Sequence, residues 1–221
     1  MYQCIGIYGG TFDPIHYGHL RPVMDVYEKY RLDHIRFIPS AIPPHRQTPD
    51  TSTQLRVKLL STAIDSISAF KLDLREVERG GQSYMFDTLQ SLRQDFTEYS
   101  LVLILGLDAF LNLPQWHRWK ELLNYCHIIV TQRPNHEIPT KQFSTKDWPE
   151  IISDYYHQFA CHENSMLHKT LCGRIFLTEV TQLDISSSNI RERIKNKQSI
   201  DFLVPEKVKN LINKNNLYQS N

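Results

Sequence analysis

Short apolar runs alternate along this chain with longer stretches in which apolar and polar residues are mixed. The runs at residues 4–8, 34–39, 70–74, 101–105, 127–131 and 174–177 have strand length. Between them, 19–30, 54–67, 86–96, 116–125, 188–195 and 206–215 carry apolar positions at helical spacing. Strand-like and helix-like segments in alternation predict a parallel sheet with helices on both faces, an α/β doubly wound fold with helices at the C-terminal end. The run 101–105 is apolar throughout and reads as a central strand buried on both sides. The breaks are as regular as the runs. Residues 41–53 form a loop containing three prolines, and Arg79-Gly80-Gly81 interrupts the chain before the helix at 86–96. Residues 134–172 are polar, hold Pro139 and Pro149, and are long for a connection. They read as an insertion, with some helix of its own, in a single domain spanning 1–221.

Ligands of such sheets bind beyond the carboxyl ends of the strands, where strand order reverses. The distinctive residues of this sequence fall at those ends. They are Gly9 to Thr11, Pro39 to Arg46, Gly106 to Asp108, and Arg133. The densest stretch is Gly6-Ile7-Tyr8-Gly9-Gly10-Thr11-Phe12-Asp13-Pro14-Ile15-His16-Tyr17-Gly18-His19. Gly9 and Gly10 are expected to open a turn that lets backbone approach a ligand. Asp13 and Pro14 are expected to start a helix, as a cap followed by a first-turn residue. His16 and His19, three apart, then share one face near the positive end of that helix. The whole is a phosphate site. It is neither G-x-G-x-x-G nor G-x-x-x-x-G-K-S/T. A second phosphate-type segment is Ile185-Ser186-Ser187-Ser188-Asn189-Ile190-Arg191. Its serines suit a helix cap, and Arg191 leaves the first turn, where a guanidinium can grip phosphate oxygens in a fork.

His16-Tyr17-Gly18-His19 resembles the T/H-x-G-H signature of the nucleotidyltransferase superfamily, and the longer string resembles the start of bacterial nicotinate-nucleotide adenylyltransferases. Ile185 to Arg191 resembles that family's Ile-Ser-Ser-Thr-x-Ile-Arg motif, with Ser188 in place of threonine. The resemblance runs from Ile5 to Tyr218, and 135–173 carries no motif of it. It implies a Rossmann-like sheet and transfer of adenylyl from ATP to nicotinate mononucleotide, giving nicotinate adenine dinucleotide and pyrophosphate. It implies that His16, His19 and Arg191 act on the ATP phosphates, with Gly9, Gly10, Thr11, Phe12, Gly106, Asp108, Arg133, Ser187 and Ser188 binding ATP. Asp108 would contact a ribose, and Arg133 would lie near the adenine.

Pro43-Pro44-His45-Arg46 resembles the family's Pro-Pro-His-Lys/Arg loop, which places His45 and Arg46 near the mononucleotide phosphate. Ser83-Tyr84-Met85-Phe86-Asp87-Thr88 resembles its Ser-Tyr/Trp-Thr-x-Asp-Thr segment, with Met85 where threonine is usual. There the pyridine carboxylate meets backbone N–H groups, around Met85 and His117 in this chain. Trp116 would stack on the pyridine ring, a fit for a cationic ring over an indole face. Leu107 is larger than the family's alanine or serine. Magnesium is expected through the ATP phosphates, since no carboxylate cage is visible in the sequence. The alternatives are a dual-specificity enzyme that also takes the nicotinamide mononucleotide, a sister enzyme for another phosphate acceptor, and a nucleotide-sensing module without turnover.

Composition narrows this further. The 221 residues carry a formal net charge of +1. Nothing global points to nucleic acid or a membrane surface. No apolar run reaches spanning length and no signal segment opens the chain, so the expectation is a cytoplasmic protein, with a homo-oligomer left open. Cys4 and Cys126 sit in strand-like runs and read as core residues. His157/Cys161 and His168/Cys172 are two i, i+4 pairs seven residues apart. Each pair could share a helix face, but the spacing matches no standard zinc module, and no metal is expected there.

Overall fold

The computed structural model describes residues 1–44, 49–132, 145–181 and 183–219. Its sheet has six strands: β1 (Cys4–Gly10), β2 (His34–Pro39), β3 (Phe70–Leu72), β4 (Ser100–Gly106), β5 (His127–Gln132) and β6 (Ile175–Glu179). They lie in the order β3-β2-β1-β4-β5-β6. All five pairings are parallel. Strand order reverses between β1 and β4, which puts the ligand crevice beyond Gly10 and Gly106.

The helices are α1 (Tyr17–Tyr30), α2 (Thr53–Ile64), α3 (Arg75–Arg79), α4 (Met85–Asp95), α5 (Leu107–Leu111), α6 (Glu150–Phe159), α7 (Ser187–Lys195) and α8 (Glu206–Lys214). Alternation along β4 divides the core in two. Val102 and Ile104 face α1, α2 and the C-terminal helices, through Val23, Val26, Leu59, Leu60, Ile190 and Val208. Leu101, Leu103 and Leu105 face the other side, where Phe86, Leu89 and Leu92 of α4 and Ile152 and Tyr155 of α6 cover them. The period of two along a strand, with apolar residues at every position, is what a sheet buried on both faces requires.

Three local expectations are corrected. Gly9 and Gly10 are no turn: they are the last residues of β1, paired with Ile38 and Pro39 of β2. Their missing side chains make room for neighbours. A Cβ on Gly9 would stand 2.6 Å from Met85 Cε, and one on Gly10 would stand 2.9 Å from the Phe12 ring. The reversal comes two residues later, at Phe12, which is left-handed with φ 52°. Nor do Asp13 and Pro14 start the helix. They are joined by a cis peptide, and α1 begins at Tyr17 with His16 as its N-cap residue. Segment 116–125 is not one helix but a 3₁₀ turn, Trp119–Asn124, preceded by another, Leu113–Gln115. Arg118 between them is left-handed with φ 53°.

Between β5 and β6, α6 lies on the sheet with Ile152, Tyr155 and Tyr156 buried, as a crossover helix does. The rest of the stretch expected as an insertion starts outside the described residues. Neither His/Cys pair shares a helix face, because α6 ends at Phe159 before Cys161 and the 3₁₀ turn Asn164–His168 ends before Cys172. His157 Nε2 lies 3.0 Å from Thr145 Oγ1. His168 reaches the other way, with Nε2 3.1 Å from the Tyr30 carbonyl and Nδ1 3.2 Å from Cys4 Sγ.

His127 on β5 is fully buried. Its Nδ1 accepts from the Arg174 N–H at 3.2 Å and its Nε2 faces the Thr170 carbonyl at 3.0 Å, the pattern of a neutral ring. Burial pulls its pKa down to about 4. The unfolded ring takes a proton near the ordinary histidine value, about 6.5, and the folded ring does not. Stability is therefore intact above that value and falls as the pH drops toward 4, by at most about 1.4 kcal/mol per pH unit from this group. Urea midpoints at pH 7 and pH 5 check it. His127→Gln should show a smaller loss between the two than the unaltered chain; an equal loss would remove His127 as the source.

Candidate active site

The phosphate motif folds over the carboxyl end of β1. His16 is buried at the N-terminus of α1, and His19 lies one turn on. Their rings stack at 3.7 Å between centroids, with planes 27° apart. Three-residue spacing on a first helical turn produces this overlap. Gly18 permits it: a Cβ there would meet the Ile185 carbonyl at 2.9 Å and the His16 ring at 3.0 Å. His19 also packs edge-on against Phe12, at 5.4 Å and 80°. Burial lowers the His16 pKa to about 4, so at neutral pH this ring is uncharged. It offers a fixed hydrogen-bonding nitrogen rather than a charge. Its Nδ1 is buried and has no hydrogen-bond partner among the described residues.

The second motif closes onto the first. Of the three serines, Ser186 caps α7, with its Oγ accepting from the Asn189 N–H at 3.2 Å. The Ser187 hydroxyl donates to the Pro14 carbonyl at 2.9 Å. Ser188 is exposed in the first turn. Arg191 donates through Nη1 to the Asp13 carbonyl at 2.8 Å and pairs through Nε with Asp50 at 2.6 Å. The buried Asp13 carboxylate accepts from the Asp50 N–H at 2.8 Å and from the Tyr218 hydroxyl at 2.6 Å. Both phosphate motifs and the C-terminal tyrosine thus converge on the loop 11–14.

On the other side of Gly9 lies the segment opening α4. The Ser83 hydroxyl accepts from the Ala41 N–H at 2.8 Å, and the Ser83 N–H donates to the Ile42 carbonyl at 2.9 Å. The chain after β2 is zipped to it. Tyr84 and His117 rings lie 4.7 Å apart, and Trp116 is half-buried against the core beneath. Met85, the departure from the family pattern, covers Gly9 and so joins this segment to the phosphate loop. Asp108 is exposed in the first turn of α5 and folds back over Gly106, whose Cβ would stand 2.7 Å from Asp108 Oδ1. Of the residues singled out by sequence, His45, Arg46 and Arg133 lie outside the described residues.

One residue was missed. Arg56 on α2 is fully buried, and its guanidinium donates to carbonyls of both loops, Thr11 O at 2.7 Å and Ser40 O at 2.8 Å. Burial lowers its pKa, and the nearby Asp13 charge opposes that shift. The signal was available. Arg56 sits in register with Leu59, Leu60 and Ala63, a cation on the apolar stripe of a helix.

A parallel sheet of order 3-2-1-4-5-6, with both motif segments converging on the loop after β1, is a nucleotide-binding architecture, and the cytidylyltransferase-like family model matches residues 7–193. A relative from Methylococcus capsulatus, named "Probable nicotinate-nucleotide adenylyltransferase", is 43% identical over 97% of this chain and 99% of its own. One of the same name from Hydrogenovibrio crunogenus is 39% identical over 98% of each. The chain belongs to the nicotinate-nucleotide adenylyltransferase family. Among solved structures, Plasmodium falciparum nicotinic acid mononucleotide adenylyltransferase has the same fold. Complexed with NaAD it superposes with a TM-score of 0.68, at 20% identity and 98% coverage of both chains. Complexed with APC the TM-score is 0.66, at the same identity and coverage.

Proposed function

We propose that this protein transfers the adenylyl group of ATP to nicotinate mononucleotide. The acceptor's phosphate oxygen bonds to the α-phosphorus as the bond from that phosphorus to the bridging oxygen breaks, and pyrophosphate leaves. The observation that carries the reading is the stacked His16–His19 pair at the start of α1, with Arg191 tied to the same loop through the Asp13 carbonyl. The attacking phosphate is already anionic and needs no general base. The protein's part is alignment and neutralisation of charge on the bridging and leaving oxygens. His19 and the neutral His16 serve the ATP phosphates, and Arg191 takes the departing pyrophosphate. Ser83 to Met85 and Trp116 to His117 hold the pyridine end, and Asp108 holds a ribose.

Among the described residues no three His, Cys, Asp or Glu side chains stand close enough to hold a metal. In this reading magnesium is a partner of the phosphate oxygens, where it would neutralise leaving-group charge. A cytoplasmic site of action belongs to the same reading. No helix among the described residues is long and apolar enough to cross a membrane.

The test is pyrophosphate release from ATP-Mg with a panel of acceptors. Nicotinate mononucleotide should support turnover. The nicotinamide analogue should be poorer by at least about tenfold in kcat/KM, because its NH2 would face a backbone N–H donor and leave that donor unpaired in the complex. Equal values would move the chain to dual specificity. A better rate with 4′-phosphopantetheine would overturn the assignment.

A further inference from the structure

We propose that Arg56, buried away from the reacting groups, is a positioning residue that sets the gap between the loop 11–14 after β1, on the ATP side, and Ser40 and Ala41 after β2, on the acceptor side. This rests on the adenylyl-transfer reading above. Arg56 projects from α2 with no exposed surface. Its Nη1 donates to Thr11 O at 2.7 Å. Its Nη2 faces Ser40 O at 2.8 Å, Ala41 O at 3.2 Å and Thr53 Oγ1 at 2.9 Å. Thr11 is the first residue beyond β1 and leads into Phe12, on which His19 packs. Ser40 and Ala41 are the first residues beyond β2, and Ala41 is hydrogen-bonded to Ser83 on the acceptor side. One rigid planar fork therefore spans the exits of two neighbouring strands.

The Ala41 residue is held from both sides. Arg56 takes its carbonyl, and the Ser83 hydroxyl takes its N–H at 2.8 Å. A shift of the guanidinium passes to Ser83 on the acceptor side and to Thr11 and Phe12 on the phosphate side. The geometry that responds is the line from the attacking phosphate to the α-phosphorus. A buried cation is costly unless its partners are fixed. Here most of those partners are loop carbonyls at a proposed active site, and Asp13, which Arg191 and Tyr218 also engage, supplies opposing charge. An apolar residue at position 56 would fill the stripe beside Leu59 and Leu60 but leave the two loops unlinked.

The experiment compares the full-length chain with Arg56→Lys, which keeps the charge and loses the fork. It measures kcat, both KM values, the Kd of ATP and of nicotinate mononucleotide each alone by calorimetry, and Tm. The expected result is a split. kcat falls by about tenfold to a hundredfold, as a misplacement near 1 Å produces. Each single-substrate Kd stays within about threefold, because each loop keeps its own contacts. Thr53→Val, which removes one acceptor of the fork and no charge, should lower kcat by about threefold to tenfold in the same direction, and it serves if Arg56→Lys does not fold. Wild-type kcat per folded molecule in the variant that folds, whatever its Tm, would overturn the proposal. So would loss confined to one substrate's Kd. Turnover of the unaltered chain tests the proposed function separately, since the ratio of variant to unaltered chain can be taken with whichever acceptor that chain uses.

Discussion

His19→Ala is expected to lower kcat by about a hundredfold or more, the usual cost of removing one preorganised donor from developing charge. The ring stands on the first turn of α1, 3.7 Å from the His16 ring and above the end of β1. It also lies edge-on to Phe12 at 5.4 Å and to Tyr8 at 6.4 Å. Such aromatic pairs contribute about 0.5–1.5 kcal/mol each at most. For a chain of this length one kcal/mol moves Tm by about 2–4 °C. Loss of the three ring pairs should therefore lower Tm by several degrees, at most about 20 °C, while catalysis falls by two decades. KM for nicotinate mononucleotide should hardly move, because the ring faces the phosphate side of Gly9 and not the Tyr84–His117 side. Single-turnover rates with saturating ATP, set beside a thermal melt, separate the two effects. A fall of many degrees with kcat per folded molecule unchanged would make His19 a packing residue.

The strands were legible because each is a local pattern. β2 has the bounds read from the sequence, and β4 extends its apolar run by one residue at each end. The pairing of His16 with His19 on one face was legible because three-residue spacing on a helix is also local. What escaped was fixed by partners far along the chain. The Gly9 hydrogen makes room for Met85, seventy-six positions away, which no turn rule contains. Asp13 looked like a cap because aspartate before proline usually starts a helix. Its carboxylate serves Asp50 and Tyr218 instead. Ser186, Ser187 and Ser188 were equal candidates for the cap until the Pro14 carbonyl claimed Ser187 and Asn189 marked Ser186. Arg56 could have been noticed as a charge on an apolar stripe. Its acceptors could not, since they are the carbonyls of two strand exits that only the sheet brings together.

Gly18→Ala is expected to combine a similar loss of kcat, about a hundredfold, with a measurable loss of stability. Gly18 is a helical residue in the first turn of α1, and its φ is not in the left-handed region. Backbone freedom therefore does not explain the glycine, and by helix propensity alone alanine would stabilise by up to about 1 kcal/mol. Space decides against it. The added Cβ would lie 2.9 Å from the Ile185 carbonyl oxygen and 3.0 Å and 3.1 Å from Nδ1 and Cε1 of His16. The carbonyl cannot swing aside freely. It directly precedes Ser186, the cap of α7, and α7 is tied to Pro14 through Ser187. The start of α1 is held as well, by the Tyr17 N–H on the Leu203 carbonyl at 3.0 Å. Relief must come from parting α1 and α7, or from turning the His16 ring out of its stack with His19. Overpacking of this kind costs about 1–3 kcal/mol. In the proposed reaction, either movement displaces the groups assigned to the ATP phosphates by a distance that commonly costs two decades in rate. Urea unfolding and pyrophosphate release on the same preparation check both halves. A variant that melts higher than the unaltered chain with full kcat would show that propensity wins, and that the stack of His16 on His19 does not depend on the missing methyl.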